Sequence, residues 1–297
     1  MFITDSQVHL WLDESPERPW IKGARERLIK NGHRTEAFSY EECIREMDGA
    51  GVDRVMIVPG SWEGDRIDYA LKACEAYPDR FGVMARIPQN KPEEAKAMLR
   101  DWQSIPYVKG TRITFHRPID RYWMIDGTMD WYWPFAEEVG VKSMIHAPIW
   151  KRETGQVAKR HPGLKLIVDH MGIFTRTTDD GIGYWVEETI ELAEHPNIYV
   201  KVSAIPSFST KAYPFENVNG YVRDVVKAFG AERCFWGTDL TRQLNHGLSY
   251  QNCIEHFTQH MGFTPQQLEW IMGRGINECL DWPAPAPKLA PQPAKGA

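Results

Sequence analysis

Residues 1–10 read Met1-Phe2-Ile3-Thr4-Asp5-Ser6-Gln7-Val8-His9-Leu10, an apolar stretch that becomes polar within the length of one strand. Alternate side chains of a strand share a face, so Asp5, Gln7 and His9 are expected to project together while Ser6 and Val8 point the other way. Neighbouring donors and acceptors at one strand end could grip a single ion or a single substrate.

Outward from it, strand-like and helix-like segments alternate, the signature of βα units around a parallel sheet. The expected strands after the first are 54–58, 81–86, 108–113, 142–146, 164–170, 198–203 and 233–239, which with the first make eight. Ser39 with Glu42 three residues on forms a capping box for a helix to about Met47, and Lys91-Pro92-Glu93-Glu94 opens another with proline in its first turn. Further helices are expected over 65–77, 184–193 and 218–229, and one ending near Val139. Leu12 to Phe38, long and charged, reads as an inserted loop or short helix lying over one end of the sheet. Segments 250–260, 265–272 and 276–280 read as extra C-terminal helices, and the Pro-rich tail from Pro283 as extended or disordered. The expected architecture is therefore one α/β domain over 1–282, a (β/α)8 TIM barrel, followed by the tail 283–297.

Composition narrows the class of partner. A net charge of -5 argues against nucleic acid and against an anionic membrane surface, so a small molecule is the expected partner. The five cysteines are widely spaced and form no C-x-x-C, which fits a reducing compartment better than a disulfide framework. With no basic leader and no apolar stretch long enough to span a bilayer, the cytoplasm is the expected location. The aromatic helices and the tail leave room for a homo-oligomer.

In a (β/α)8 barrel the reacting groups sit at the C-terminal ends of the strands. That rule gathers His9, Arg86, Arg112, His116, His146, His170, Lys201, Ser203 and Asp239 around one pocket. Asp239 is the candidate base, a carboxylate placed to take a proton from water and return it to the leaving group. His170 is a second catalytic candidate, polarising a carbonyl or shuttling a proton, whereas Asp169 is expected on the opposite face as a structural partner. His9, His146 and Asp239 together offer the two nitrogens and one oxygen that suit zinc or manganese with a water position open. Gln7, Arg112, His116 and Lys201 are candidates for binding substrate. Lys109 and Arg112 point to opposite faces of their strand, and Arg112, nearer its end, is the one expected in the pocket. Several cations around one carboxylate suggest an anionic substrate. Trp62, Phe115, Tyr122, Trp123, Trp131, Trp133 and Trp150 are candidates for an apolar wall.

The segments Met144-Ile145-His146, Ile167-Val168-Asp169-His170-Met171-Gly172, Val200-Lys201-Val202-Ser203 and Trp236-Gly237-Thr238-Asp239 resemble, in order, the fifth to eighth strand signatures of the amidohydrolase-related branch of the amidohydrolase superfamily. Gly273 to Leu280 resembles that family's C-terminal glycine-asparagine helix, and residues 5–9 its first-strand motif, with Gln7 where the family has a histidine. The resemblance spans roughly residues 2–282 and implies hydrolysis of a lactone or related ester or amide, with or without a metal. It equally admits metal-dependent decarboxylation of aromatic acids. The replacement at position 7 leaves a third reading open, an inactive barrel that binds a ligand.

Overall fold

The computed structural model describes residues 1–284; the greater part of the Pro-rich tail, 285–297, lies outside them. Eight parallel strands pair in sequence order, β1 (Thr4–Val8), β2 (Arg54–Ile57), β3 (Phe81–Arg86), β4 (Val108–Thr114), β5 (Ser143–His146), β6 (Leu166–Val168), β7 (Ile198–Ser203) and β8 (Cys234–Gly237). The barrel is closed between β8 and β1 by the Asp239 N–H, which donates to the Gln7 carbonyl at 2.9 Å. The expected (β/α)8 barrel is the observed fold.

Helices α1 (Ala24–Lys30), α2 (Tyr40–Ala50), α3 (Asp68–Ala76), α4 (Pro92–Leu99), α5 (Tyr132–Glu138), α6 (Lys151–Arg160), α7 (Ile182–Glu191) and α8 (Glu216–Phe229) run between the strands. After β8 come α9 (Leu240–Asn245), α10 (Tyr250–His260), α11 (Pro265–Glu269) and α12 (Gly275–Cys279), the last two joined by a π-helical turn over Trp270–Arg274. The sequence reading passes over α6, whose polar run KRETGQVAKR hides a buried stripe of Thr154, Val157 and Ala158. Ser39 caps α2 as expected, its side chain accepting from the Glu42 N–H.

Three departures from regular strand geometry aim site residues. Between Asp5 and Val8 the β1–β2 register shifts. Asp5 therefore does not share a face with Gln7 and His9; its carboxylate accepts from the hydroxyl of Tyr250 on α10, at 2.7 Å, and so faces the helical layer. β6 stops at Val168, two residues before its expected end, because His170 and Met171 are both left-handed at φ 52°. β8 stops at Gly237, and Asp239 follows at φ 55°. Left-handed φ is uncommon for residues other than glycine and here re-aims the side chains that leave the strands.

Most of the apolar core lies between strands and helices. A second, inner group of Met56, Met84, Met144, Ile167 and Phe235 fills the barrel and meets Ile276, Leu280 and Trp282 at its N-terminal end. Arg54 seals that end: its guanidinium stacks 4.3 Å from the Trp282 ring centroid and donates to the carbonyls of Trp282 and Pro283. The interior is packed closely enough that Gly110 on β4 has no space for a side chain, since a Cβ there would lie 2.3 Å from the Lys142 carbonyl oxygen. A backbone atom cannot yield as a side chain can. Gly110→Ala should cost about 1–3 kcal/mol, read as a lowered urea midpoint at unchanged slope; wild-type stability would contradict the tight β4–β5 approach.

Candidate active site

The C-terminal ends of the strands open into a cavity of about 380 Å³. Its lining includes Arg86 from β3, Arg112 from β4, His146 from β5 and His9, His116, His170 and Asp239 from the segments that follow β1, β4, β6 and β8. The inserted segment 12–38 forms one wall, with α1 contributing Arg27, Leu28 and Lys30 and the loop after it His33. Trp62 and Phe174 are its aromatic surfaces. The other aromatic candidates take different positions: Phe115 and Trp133 are buried in the core, Tyr122 is exposed, and Trp150 donates to the Arg121 carbonyl.

Two substrate-binding candidates lie beneath the cavity rather than in its lining. Gln7 and Lys201 are fully buried, and the Lys201 ammonium is bonded to Gln7 Oε1 and held 2.5 Å from Asp169 Oδ1. Arg112 Nη1 takes the other Asp169 oxygen at 2.6 Å. Asp169 is a structural partner as expected, but it faces the barrel interior, two residues after the inward Ile167, and fixes two cations under the cavity floor; the left-handed turn instead brings His170 round to the cavity. Burial by itself would raise its carboxyl; Arg112 and Lys201 outweigh that and lower it. Burial pulls Lys201 down to about 8 against the attraction of Asp169. Lys109, on the other face of β4, turns to the Trp282 ring.

Asp239 is the carboxylate of the cavity lining. Burial would raise it, but the imidazoles of His33 and His9 and the Arg242 guanidinium outweigh that and hold it well below the ordinary carboxylate range, so it is ionised. Arg242 Nη1 lies 3.3 Å from Oδ2 and His9 Nε2 lies 3.4 Å from Oδ1. Burial keeps His9, His146 and His170 below their usual range and therefore neutral at pH 7. His170 Nδ1 is tied to Ser203 Oγ at 2.8 Å, and the His146 ring packs between His116 and His170 at centroid distances of 4.9 and 5.8 Å.

For a metal, the structure brings together His9 and Asp239 from the expected set, but with His33 in the place of His146. The ligand atoms of His9, His33 and Asp239 lie within 4.8 Å of one another, the one such group among the described residues. The set fits a divalent ion: Asp239 Oδ1 is buried without a hydrogen-bond partner, and two imidazoles with a carboxylate are donors that zinc accepts. His33 and Arg242 escape a reading based on strand ends, because one lies in the insertion and the other on α9. The charged character of 12–38 is the only signal in the sequence that pointed toward that wall.

A barrel with acid–base and cationic groups converging at its C-terminal mouth defines an enzyme of the TIM-barrel class. The chain belongs to the amidohydrolase family, which it matches over residues 4–295, and is a hydrolase. It is 33% identical over 276 residues to L-fucono-1,5-lactonase of Burkholderia ambifaria, covering 86% of this chain and 89% of that protein. Its fold is similar to that of a zinc-bound amidohydrolase from Burkholderia multivorans, with a TM-score of 0.76 at 15% identity over 95% of this chain and all of the other. It is also similar to a 5-carboxyvanillate decarboxylase from Sphingomonas paucimobilis, with a TM-score of 0.65 at 14% identity over 94% and 99% of the two chains. Among the described residues no helix is long and apolar enough to cross a membrane.

The charges under the floor depend on one another. Lys201→Met leaves Asp169 with one of its two cations and Gln7 without its partner, and should cost about 3–5 kcal/mol in urea unfolding. Combined with Asp169→Asn it should cost less than the two single changes added. Strict additivity would show that the pair is not coupled.

Proposed function

We propose that this chain hydrolyses a small lactone, or a related ester or amide, that carries at least one carboxylate, and that Asp239 activates the attacking water. The observation that carries the reading is the charge arrangement: one ionised carboxylate, Asp239, in a cavity whose other charged lining residues are all cations, Arg86, Arg112 and Arg242 deepest among them and Arg27, Lys30, Arg117, Arg121 and Arg176 also present. Arg86 Nε, Arg112 Nε and Arg242 Nε are buried with no hydrogen-bond partner among the described residues, as are His116 Nδ1 and His146 Nδ1. Unsatisfied buried donors are costly, and a substrate carboxylate and a developing oxyanion would satisfy them. The identity to a sugar lactonase supports the choice of bond.

In this reading a water between Asp239 and the substrate carbonyl gives its proton to the carboxylate as it attacks. Arg112 and His146 donate to the tetrahedral oxyanion, while Arg86 and His116 hold a carboxylate elsewhere on the ring. As the ring carbon–oxygen bond breaks, the proton from Asp239 passes to the leaving oxygen, which neutral His170, braced by Ser203, orients by a hydrogen bond, and the second proton of the water is released to solvent as the new carboxylic acid ionises. The product is a hydroxy acid with one more negative charge than the lactone. A divalent ion held by His9, His33 and Asp239 would supply Lewis-acid polarisation of the carbonyl.

Turnover of a panel of carboxylated lactones in water labelled with oxygen-18 tests the reading. One labelled oxygen in the new carboxyl, with a loss of about 10²–10⁴-fold in kcat/KM for Asp239→Asn, is expected. Carbon dioxide release without label would mark decarboxylation instead. Because Asp239 is lowered and the cavity histidines are neutral, kcat/KM should stay level between about pH 5.5 and 7. A single-proton limb near the ordinary histidine value would show that an imidazolium, not the Asp239 carboxylate, governs the rate.

A further inference from the structure

His9 Nδ1 lies 2.5 Å from the Val58 carbonyl oxygen, an atom that can only accept. Nδ1 therefore carries the proton, and Nε2 presents a lone pair. That lone pair is 3.4 Å from Asp239 Oδ1, an oxygen that is itself buried and without a hydrogen-bond partner among the described residues. Two acceptors so placed repel unless a cation joins them.

The cations already present are committed elsewhere. Lys201 Nζ is engaged by Gln7 Oε1, Asp169 and the Ser6 carbonyl, and Arg242 takes Oδ2, the other oxygen of Asp239. The Gln7 amide nitrogen approaches His9 Nε2 at 3.2 Å, satisfying the imidazole in part and Asp239 Oδ1 not at all. His33 approaches from the inserted loop. Its Nδ1 is anchored 2.9 Å from Thr241 Oγ1, which leaves its second nitrogen available, and its ring stands edge-on to His9 with centroids 5.4 Å apart.

We propose that His33 is the third protein ligand of a divalent transition ion, zinc by preference, bound with His9 and Asp239. The loop histidine replaces the nitrogen that Gln7 cannot supply, and the Gln7–Lys201 pair closes the deeper position, so the ion sits toward the mouth of the barrel. Ligand atoms around tetrahedral zinc lie about 3.4 Å apart. His9 and Asp239 already stand at that separation, so binding draws the His33 loop inward. The Nδ1–H of His9 on Val58 is the kind of backbone anchor that fixes a ligating tautomer. The inference concerns ion binding and holds whether or not a lactone is the substrate.

The test uses the full chain, stripped with chelator and titrated with Co²⁺, followed by visible ligand-field absorption and by calorimetry. About one ion per chain with the strong visible bands of a tetrahedral site is expected. His33→Ala and His9→Ala should weaken binding at least about tenfold, and His146→Ala should leave it unchanged. His33→Cys should add an intense thiolate-to-cobalt band in the near ultraviolet, a positive signal that does not depend on the alanine variants folding well. Absence of binding at millimolar Co²⁺, wild-type affinity in His33→Ala, or no new band in a folded, cobalt-loaded His33→Cys would each overturn the proposal.

Discussion

The Asp5 carboxylate holds the two ends of the barrel together. Its Oδ1 accepts from the backbone N–H groups of Gln7 and Thr238, and its Oδ2 from the hydroxyls of Thr238 and Tyr250. The first strand, the last strand and α10 thus meet on one buried carboxylate. Burial raises this group to about 6 despite the four donors that lower it. Gln7, His9 and Asp239 all leave the backbone within a few residues of this junction, so the position of the base relative to the first-strand histidine is set here and not by loops.

Below the cavity a second carboxylate, Asp169, does comparable work with charge. Arg112 and Lys201 share its two oxygens, and Lys201 extends the arrangement to Gln7. Buried charges are tolerated when paired and bonded on all sides. The outcome is a rigid floor from which Arg112 still reaches the cavity, while the other lining arginines, apart from Arg86 on β3, belong to loops and helices of differing length. Binding chemistry is thereby separated from the groups that keep the interior electrostatically closed.

Much of the fold was legible in the sequence because periodicity and turn chemistry are local. The eight apolar runs, the Ser39 cap and the C-terminal helices all stand where those signals place them. Within the site, placement at strand ends located Asp239, His9, His116, His146, His170 and Arg112 in one cavity. It failed where the backbone leaves regular strand geometry. The shifted register at Asp5 turns that residue to the helices, and the left-handed turn brings His170 into the cavity beside an Asp169 that already faces inward from Ile167. Alternation cannot foresee either. Strand position alone puts Lys201 and Gln7 toward substrate, because it gives direction but not depth, and two long side chains of matching polarity bond each other beneath the floor. His33 depends on the path of a loop, which is settled by contacts distant in sequence, such as that with Thr241.

The charge trio under the floor also shapes how such an enzyme can change. A substitution at Lys201, Asp169 or Arg112 alone strands a buried partner, so any route to a different floor crosses variants of impaired stability unless two positions change together. Arg27, Arg121 and Arg176 of the upper wall pair with no buried carboxylate among the described residues, unlike Arg117 on Asp120 and Arg242 on Asp239. New substrate preferences are therefore far more accessible by single steps at the rim, and a lineage descending from this chain would diversify from the mouth downward, with its floor the last part to move.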